Sequence, residues 1–231
     1  MTGPQGVVEA WLQAEHGLRL EPQVWEQLTA YVAAVRAAPF NLTAWEETDL
    51  WFKGVADSLA GLAVWNGAGP AADIGSGNGQ PGLVLAIARP EASWVLVEAR
   101  TKRAAFLAAV VRELGLAARV EVVPERAEEW LRHRPAGAAT VVARALGPLA
   151  VTAELTVPAA RPGGRILLWR GPEAGREVEA AAAWLARLGA RPERLWSYAL
   201  PAGRGHRVLV ALHKVAETPD RYPRRGGALG R

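Results

Sequence analysis

The sequence predicts an α/β fold: a seven-stranded, mostly parallel sheet whose last strand runs antiparallel, preceded by a helical N-terminal appendage. Three observations carry this. From residue 71 onward, short apolar strands alternate with helical segments, the pattern of βαβ units with right-handed crossovers. The first strand runs into a glycine-rich loop that opens a helix. The residues before 67 show helical periodicity and no strand pattern. The expected division is a helical appendage over residues 1–66, an α/β domain over 67–215 and a basic tail over 216–231.

The elements follow in order. Val7, Val8, Trp11 and Leu12 recur at helical spacing. Val24, Leu28, Tyr31, Val32 and Val35 do so again after Pro22, whose fixed φ suits a helix start. Thr43, with Glu46 three residues on, reads as a capping box for a third helix reaching about Leu59. Strands are expected at Ala71–Ile74, Trp94–Val97, Val120–Val123, Thr140–Ala143, Arg165–Trp169, Leu195–Ala199 and Val208–Leu212. Helices fall between them, at Pro81–Ala88, Lys102–Leu114, Ala127–Leu131, Leu149–Ala159 and Glu173–Leu188. Only a loop separates the last two strands, so they should pair antiparallel.

Composition excludes several classes of function. Half of the 231 residues are hydrophobic, which is enough for a sizeable core. There is no cysteine, so disulfides, thiolate metal sites and cysteine nucleophiles are ruled out. The four histidines are scattered, and no metal centre is expected. The first residues lack an export signal, and no apolar run is long enough to span a bilayer. A cytoplasmic protein with no membrane partner is the expectation. Charge is unevenly distributed: residues 1–115 carry 8 basic and 12 acidic side chains, and residues 116–231 carry 19 and 11. The basic excess is almost all arginine, whose planar fork suits phosphates and guanine edges.

The chemistry concentrates in the loop Asp73-Ile74-Gly75-Ser76-Gly77-Asn78-Gly79-Gln80-Pro81-Gly82. Glycines let the backbone turn and approach a ligand closely. The loop has Gln80 where a dinucleotide fingerprint needs its third glycine, and Asp73 stands two places before the first glycine. An anion there sits badly against a pyrophosphate and suits a cationic, amino-bearing ligand such as S-adenosylmethionine. Glu98 ends the second strand, where a carboxylate can accept both ribose hydroxyls. Arg126-Ala127-Glu128 follows the third strand and can reach an adenine; an amphipathic surface helix is the competing reading. Arg144 ends the fourth strand, facing the place where a transferred group would sit, with a plain salt bridge as the alternative.

Several segments stand out in order: Asn41-Leu42-Thr43-Ala44, Asp57-Ser58-Leu59, the loop from Asp73 to Leu83, Ile87-Ala88-Arg89-Pro90, Lys102-Arg103 with Phe106-Leu107, and Arg126-Ala127-Glu128. Arg144-Ala145 with Pro148-Leu149, Pro162-Gly163-Gly164, Gly171-Pro172 and Tyr222-Pro223-Arg224-Arg225-Gly226 complete the set. Together, over about residues 40–226, they resemble the bacterial 16S ribosomal RNA guanine-N7 methyltransferases, also called the glucose-inhibited division protein B family. Three positions depart from the family pattern. Gly54 stands in place of a usual histidine, Gln80 in place of an aromatic or aliphatic residue, and Arg170 in place of lysine.

The resemblance implies a Rossmann-like class I S-adenosylmethionine-dependent methyltransferase that leaves S-adenosylhomocysteine as product. Its substrate would be N7 of a guanine in small-subunit rRNA, free or in the ribosomal subunit, and the enzyme would be a monomer. N7 carries an in-plane lone pair and no proton, so alignment is the main task and no general base is required. Asp73, Gly75, Ser76, Gly77, Gly79 and Gln80 would then serve the methionine and ribose side of the donor, Glu98 the ribose, and Ala127 and Glu128 the adenine. Arg144 would sit between donor and base, touching the cofactor and steering the guanine. Lys102, Arg103, Arg170, Arg207, Arg224 and Arg225 are the candidate RNA contacts. Of the tryptophans, Trp45, Trp51 and Trp65 are the candidates for contact with base or cofactor, and Trp11, Trp25, Trp94, Trp169 and Trp184 read as core. Two other readings stay open: a methyltransferase of this fold acting on another RNA or a small molecule, and a non-catalytic relative that only binds donor or RNA.

Overall fold

The computed structural model describes residues 3–65, 67, 69–133, 137–224 and 229–230. It opens with helices α1 (Pro4–His16) and α2 (Pro22–Ala37), each with proline in its first turn, where the missing N–H loses no bond. From Glu47 to Ala63 the chain coils on but changes pitch: α3 (Glu47–Asp49), a π-helical stretch (Leu50–Val55), α4 (Ala56–Leu59) and a 3-10 turn (Ala60–Ala63). The capping box expected at Thr43 does not form. Glu46 takes the N-cap position, and Thr43 Oγ1 instead accepts a 3.2 Å bond from Trp45 N–H. A hydroxyl closing a local turn competes with helix initiation in this way.

Seven strands follow: β1 (Ala71–Ile74), β2 (Trp94–Val97), β3 (Val120–Val123), β4 (Ala138–Arg144), β5 (Ala160–Arg170), β6 (Ala190–Ala199) and β7 (His206–Lys214). They lie in the order β3-β2-β1-β4-β5-β7-β6. The pairs among β1 to β5 are parallel, and β7 runs antiparallel to both of its neighbours, as expected of the last strand. Between the strands lie α5 (Gly82–Ala88), α6 (Thr101–Glu113), α7 (Ala127–His133), α8 (Leu149–Thr156), α9 (Ala174–Ala180) and α10 (Ala182–Arg187). The single helix expected over 173–188 is divided at Ala181 (φ −92°, ψ 1°), and both halves bury residues on the sheet, among them Val178 and Leu185. The helix expected to reach Ala159 tightens to 3-10 at Val157–Ala159, where Pro158 cannot donate to a continuing ladder.

Each sheet face has its own core. Ile74, Val141, Ile166 and Val210 point to one face and pack with Leu155 and Leu185. Leu96, Val142, Leu167 and Leu209 point to the other. There they join Leu12, Leu28, Tyr31, Leu50 and Leu59 of the N-terminal helices in one continuous cluster. Adjacent residues Val141 and Val142 serve opposite faces because strand side chains alternate. The N-terminal helices thus roof one face of the sheet. That brings residues 45–57 over the carboxyl ends of the strands, where β1 and β4 are neighbours and the connections diverge to opposite sides. Ligands of such sheets bind in this crevice.

Candidate active site

A cavity of about 490 Å³ opens at the carboxyl ends of the strands, lined by the loop after β1, the ends of β2 and β4, the start of α7, and Leu42, Thr43 and Trp45. One wall is largely backbone. Gly75 turns the chain in the left-handed region (φ 75°), which glycine enters without strain. Glu98, at the end of β2, is nearly buried and joins two loops. Its Oε2 accepts Gly77 N–H and its Oε1 accepts Arg100 N–H, each at 2.8 Å. Each oxygen keeps a further lone pair for a ligand hydroxyl. Glu128, also nearly buried, accepts 2.7 Å from Arg126 Nε and lines the cavity beside Ala127.

Asp73 stands behind this wall. Its side chain is fully buried and is absent from the cavity lining. Its Oδ2 accepts Gly82 N–H at 2.9 Å, and a Cβ on Gly82 would lie 2.5 Å from that oxygen, so glycine is needed for strand and helix to meet here. Oδ1 is buried without a hydrogen-bond partner among the described residues. Burial pushes the Asp73 carboxyl up to about 7, against the opposing pull of the Gly82 N–H and of Arg144. Gly79 lies behind the wall as well, close to Leu83 and Leu107. Of the residues expected at the donor, the cavity brings together Gly75, Ser76, Gly77, Gln80, Glu98, Ala127, Glu128 and Arg144.

The opposite wall is made of side chains. Arg144, at the end of β4, donates through Nη1 to Asp57 Oδ2 and to the Lys53 carbonyl, both at 3.1 Å. Its Nη2 donates to Gln80 Oε1 at 2.6 Å. The guanidinium lies 5.8 Å from the centre of the Trp45 ring, a cation–π distance. Ala145, the next residue, has φ 58°, a conformation costly for alanine that turns the chain away from the sheet. Among the described residues no group of His, Asp or Glu is arranged to hold a metal, and no helix is long and apolar enough to cross a membrane.

With this geometry, the comparisons with known proteins are decisive. A family model described as rRNA small subunit methyltransferase G matches residues 24–201. Ribosomal RNA small subunit methyltransferase G of Thermotoga sp. (strain RQ2) is 38% identical over 215 residues, 92% of each chain. The protein of the same name from Sorangium cellulosum is 40% identical over 233 residues, 97% of this chain and 93% of the relative.

The chain belongs to the rRNA small subunit methyltransferase G family.

Solved structures agree on the fold. Cofactor-bound Rv0187 from MTB aligns with a TM-score of 0.61 at 21% identity, covering 93% of this chain and 98% of that one. The O-methyltransferase TomG from Streptomyces achromogenes, in complex with S-adenosylmethionine, aligns with a TM-score of 0.61 at 19% identity, covering 94% and 100%.

For a member of an rRNA-modifying family, the disposition of the cations matters. Arg103 reaches the cavity wall, and Lys102 is exposed beside it. The others expected to meet RNA are less available. Arg170 donates to Glu177 at 2.8 Å and to the Gly147 carbonyl at 2.7 Å. Arg207 donates to the His206 carbonyl, with its Nε 3.9 Å from Asp57. Arg224 is engaged with the buried carboxylate of Glu154 through backbone and side chain, and lies over the Trp184 ring at 4.7 Å. Arg225 lies outside the described residues. Of the three candidate tryptophans, Trp45 lines the cavity, whereas Trp51 and Trp65 are core. The residues that sequence reasoning left without a role are Asp57 and Tyr198. The signal for Asp57 was an acid inside the apolar run from Val55 to Val64.

Proposed function

We propose that this chain transfers the methyl group of S-adenosylmethionine to N7 of a guanine in 16S rRNA, as a monomer in the cytoplasm. The observation that carries the reading is the cleft itself. It has a backbone wall holding two carboxylates on one side and a fixed arginine on the other, in a member of an rRNA methyltransferase family.

The residues present fit the donor. Glu98 has acceptor capacity left for two ribose hydroxyls, and Ala127 with Glu128 lies where the adenine end would reach. The buried Asp73 places a proton-binding carboxyl behind the glycine loop, where a cation in the cavity would favour its charged form. When bound, the donor supplies an electrophilic methyl group on a sulfonium. The chain's own task is alignment, which can supply several kcal/mol of barrier lowering. The guanidinium of Arg144 offers donors and no acceptor; its role is to donate to the guanine O6 edge and hold N7 in line. Arg103 and Lys102, at the mouth, meet phosphates of the RNA backbone.

The test is methylation of stripped ribosomal RNA and of small ribosomal subunits with labelled donor, followed by nucleoside analysis. Label in 7-methylguanosine from either substrate is the expected result. Label in another nucleoside, or none from either substrate, would overturn the proposal.

A further inference from the structure

Arg144 is held on several sides, and the residues that hold it come from distant parts of the chain. Asp57 lies in α4, the Lys53 carbonyl in the π-helical stretch and Gln80 in the glycine loop. Their three bonds set the plane of the guanidinium. Its Nε–H and one Nη2–H have no partner among the described residues. Asp57 is itself fixed. Tyr198 Oη, on β6, donates to Asp57 Oδ1 at 2.6 Å, and Trp169 Nε1 donates to the Asp57 carbonyl at 2.6 Å. Asp57 and Gln80 are both nearly buried, so each bond is shielded from competing water.

The Gln80 bond depends on an absence. A Cβ on Gly54 would overlap the Gln80 amide, lying 2.8 Å from Oε1 and 2.9 Å from Cδ. Gly54 lies inside the π-helical stretch, whose pitch also presents the Lys53 carbonyl to Arg144. Bulges of this kind recur at functional sites.

We infer that Asp57, Tyr198 and Gln80 are positioning residues for Arg144, and that Gly54 sets the space that lets Gln80 reach it. This deepens the proposed function and rests on the reading that Arg144 acts on the acceptor base. The device predicts a particular non-additivity. Gly54→Ala and Gln80→Ala both withdraw the same amide from Arg144, so the second substitution should cost nothing once the first is made.

The experiment uses the full chain with small subunits, and reads single-turnover methyl transfer, KM for the subunit and donor affinity. Arg144→Gln should lower turnover about 100-fold or more with donor affinity within about threefold. Tyr198→Phe, Gln80→Ala and Gly54→Ala should each lower kcat about five- to twentyfold, leaving KM and donor affinity within about twofold. The Gly54→Ala, Gln80→Ala double variant should match Gln80→Ala alone. Losses that multiply in the double variant would overturn the Gly54 assignment. Parental kcat in Tyr198→Phe and Gln80→Ala, with Arg144→Gln inactive, would overturn the positioning role and leave the reading of Arg144 intact. Parental turnover in Arg144→Gln would overturn that reading itself. Tyr198→Phe and Gln80→Ala keep the inference exposed if Gly54→Ala fails to fold.

Discussion

The two walls of the cleft are built by different means. The wall proposed to hold the donor is made by chain segments that follow β1, β2 and β3; Glu98 and the Asp73 behind it accept from backbone N–H groups two to twenty-one residues away, and Glu128 accepts from Arg126 Nε. The opposite wall presents Trp45, Gln80 and Arg144, held from behind by Lys53, Asp57 and Tyr198, and these residues meet only because the N-terminal helices roof the sheet. The first wall is a property of the βα units. The second is a property of the whole fold. In the proposed function the first holds the donor and the second orients the acceptor, so changes to the two should separate binding from turnover.

The largest expected effect falls on the side-chain wall. Arg144→Gln should cost about two orders of magnitude in single-turnover rate while calorimetry finds donor affinity little changed. On the backbone wall, Glu98→Ala should weaken donor binding by about 1–3 kcal/mol, the usual cost of deleting a charged hydrogen-bond partner. Equal donor affinity in a folded Glu98→Ala variant would remove that carboxylate from the donor site.

Asp73 offers a pH test of the same wall. Its carboxyl titrates near 7 in the folded chain and in the ordinary carboxylate range when unfolded. The folded state therefore binds a proton that the unfolded state has lost. The contribution to stability is greatest below the unfolded value and is lost as pH rises towards 7. Asp73→Asn keeps an acceptor for Gly82 N–H and removes the charge. In thermal unfolding without donor it should gain on the parent from pH 5 to pH 8, by on the order of 1 kcal/mol. Identical pH dependence in the two would show that the buried carboxyl is not the source.

The smallest effect concerns RNA docking. Arg103→Ala should lower the dependence of log affinity on log salt by about 0.7–0.9, one phosphate contact. Arg224→Ala should leave that slope alone and lower stability instead, because its partner Glu154 is buried. The reverse pattern would put the tail, rather than the rim of the cavity, on the RNA.

The same contrast explains what could be read from the sequence. Glu98 stands just past β2, Glu128 lies in the first turn of α7 after β3, and a strand followed by glycines is a local pattern, so the residues of this wall were legible. Asp73 was legible as a necessary residue of the loop, but its direction was not. Only the packing of α5 shows that it faces Gly82 and not the cavity. Gly54 and Gln80 read as two separate departures from a family pattern, whereas in space one makes room for the other. Tyr198 had no signal, because its partner lies 141 residues away. For Arg224, counting charge does not reveal the carboxylate that already holds it.

The most direct test of the two-wall account is the double variant Glu98→Ala with Arg144→Gln, compared with each single variant in donor affinity and in methyl transfer at saturating donor. The account predicts that its donor affinity equals that of Glu98→Ala alone and its transfer rate that of Arg144→Gln alone. If Arg144→Gln by itself weakens the donor as much as Glu98→Ala does, the walls are one site and the division is wrong.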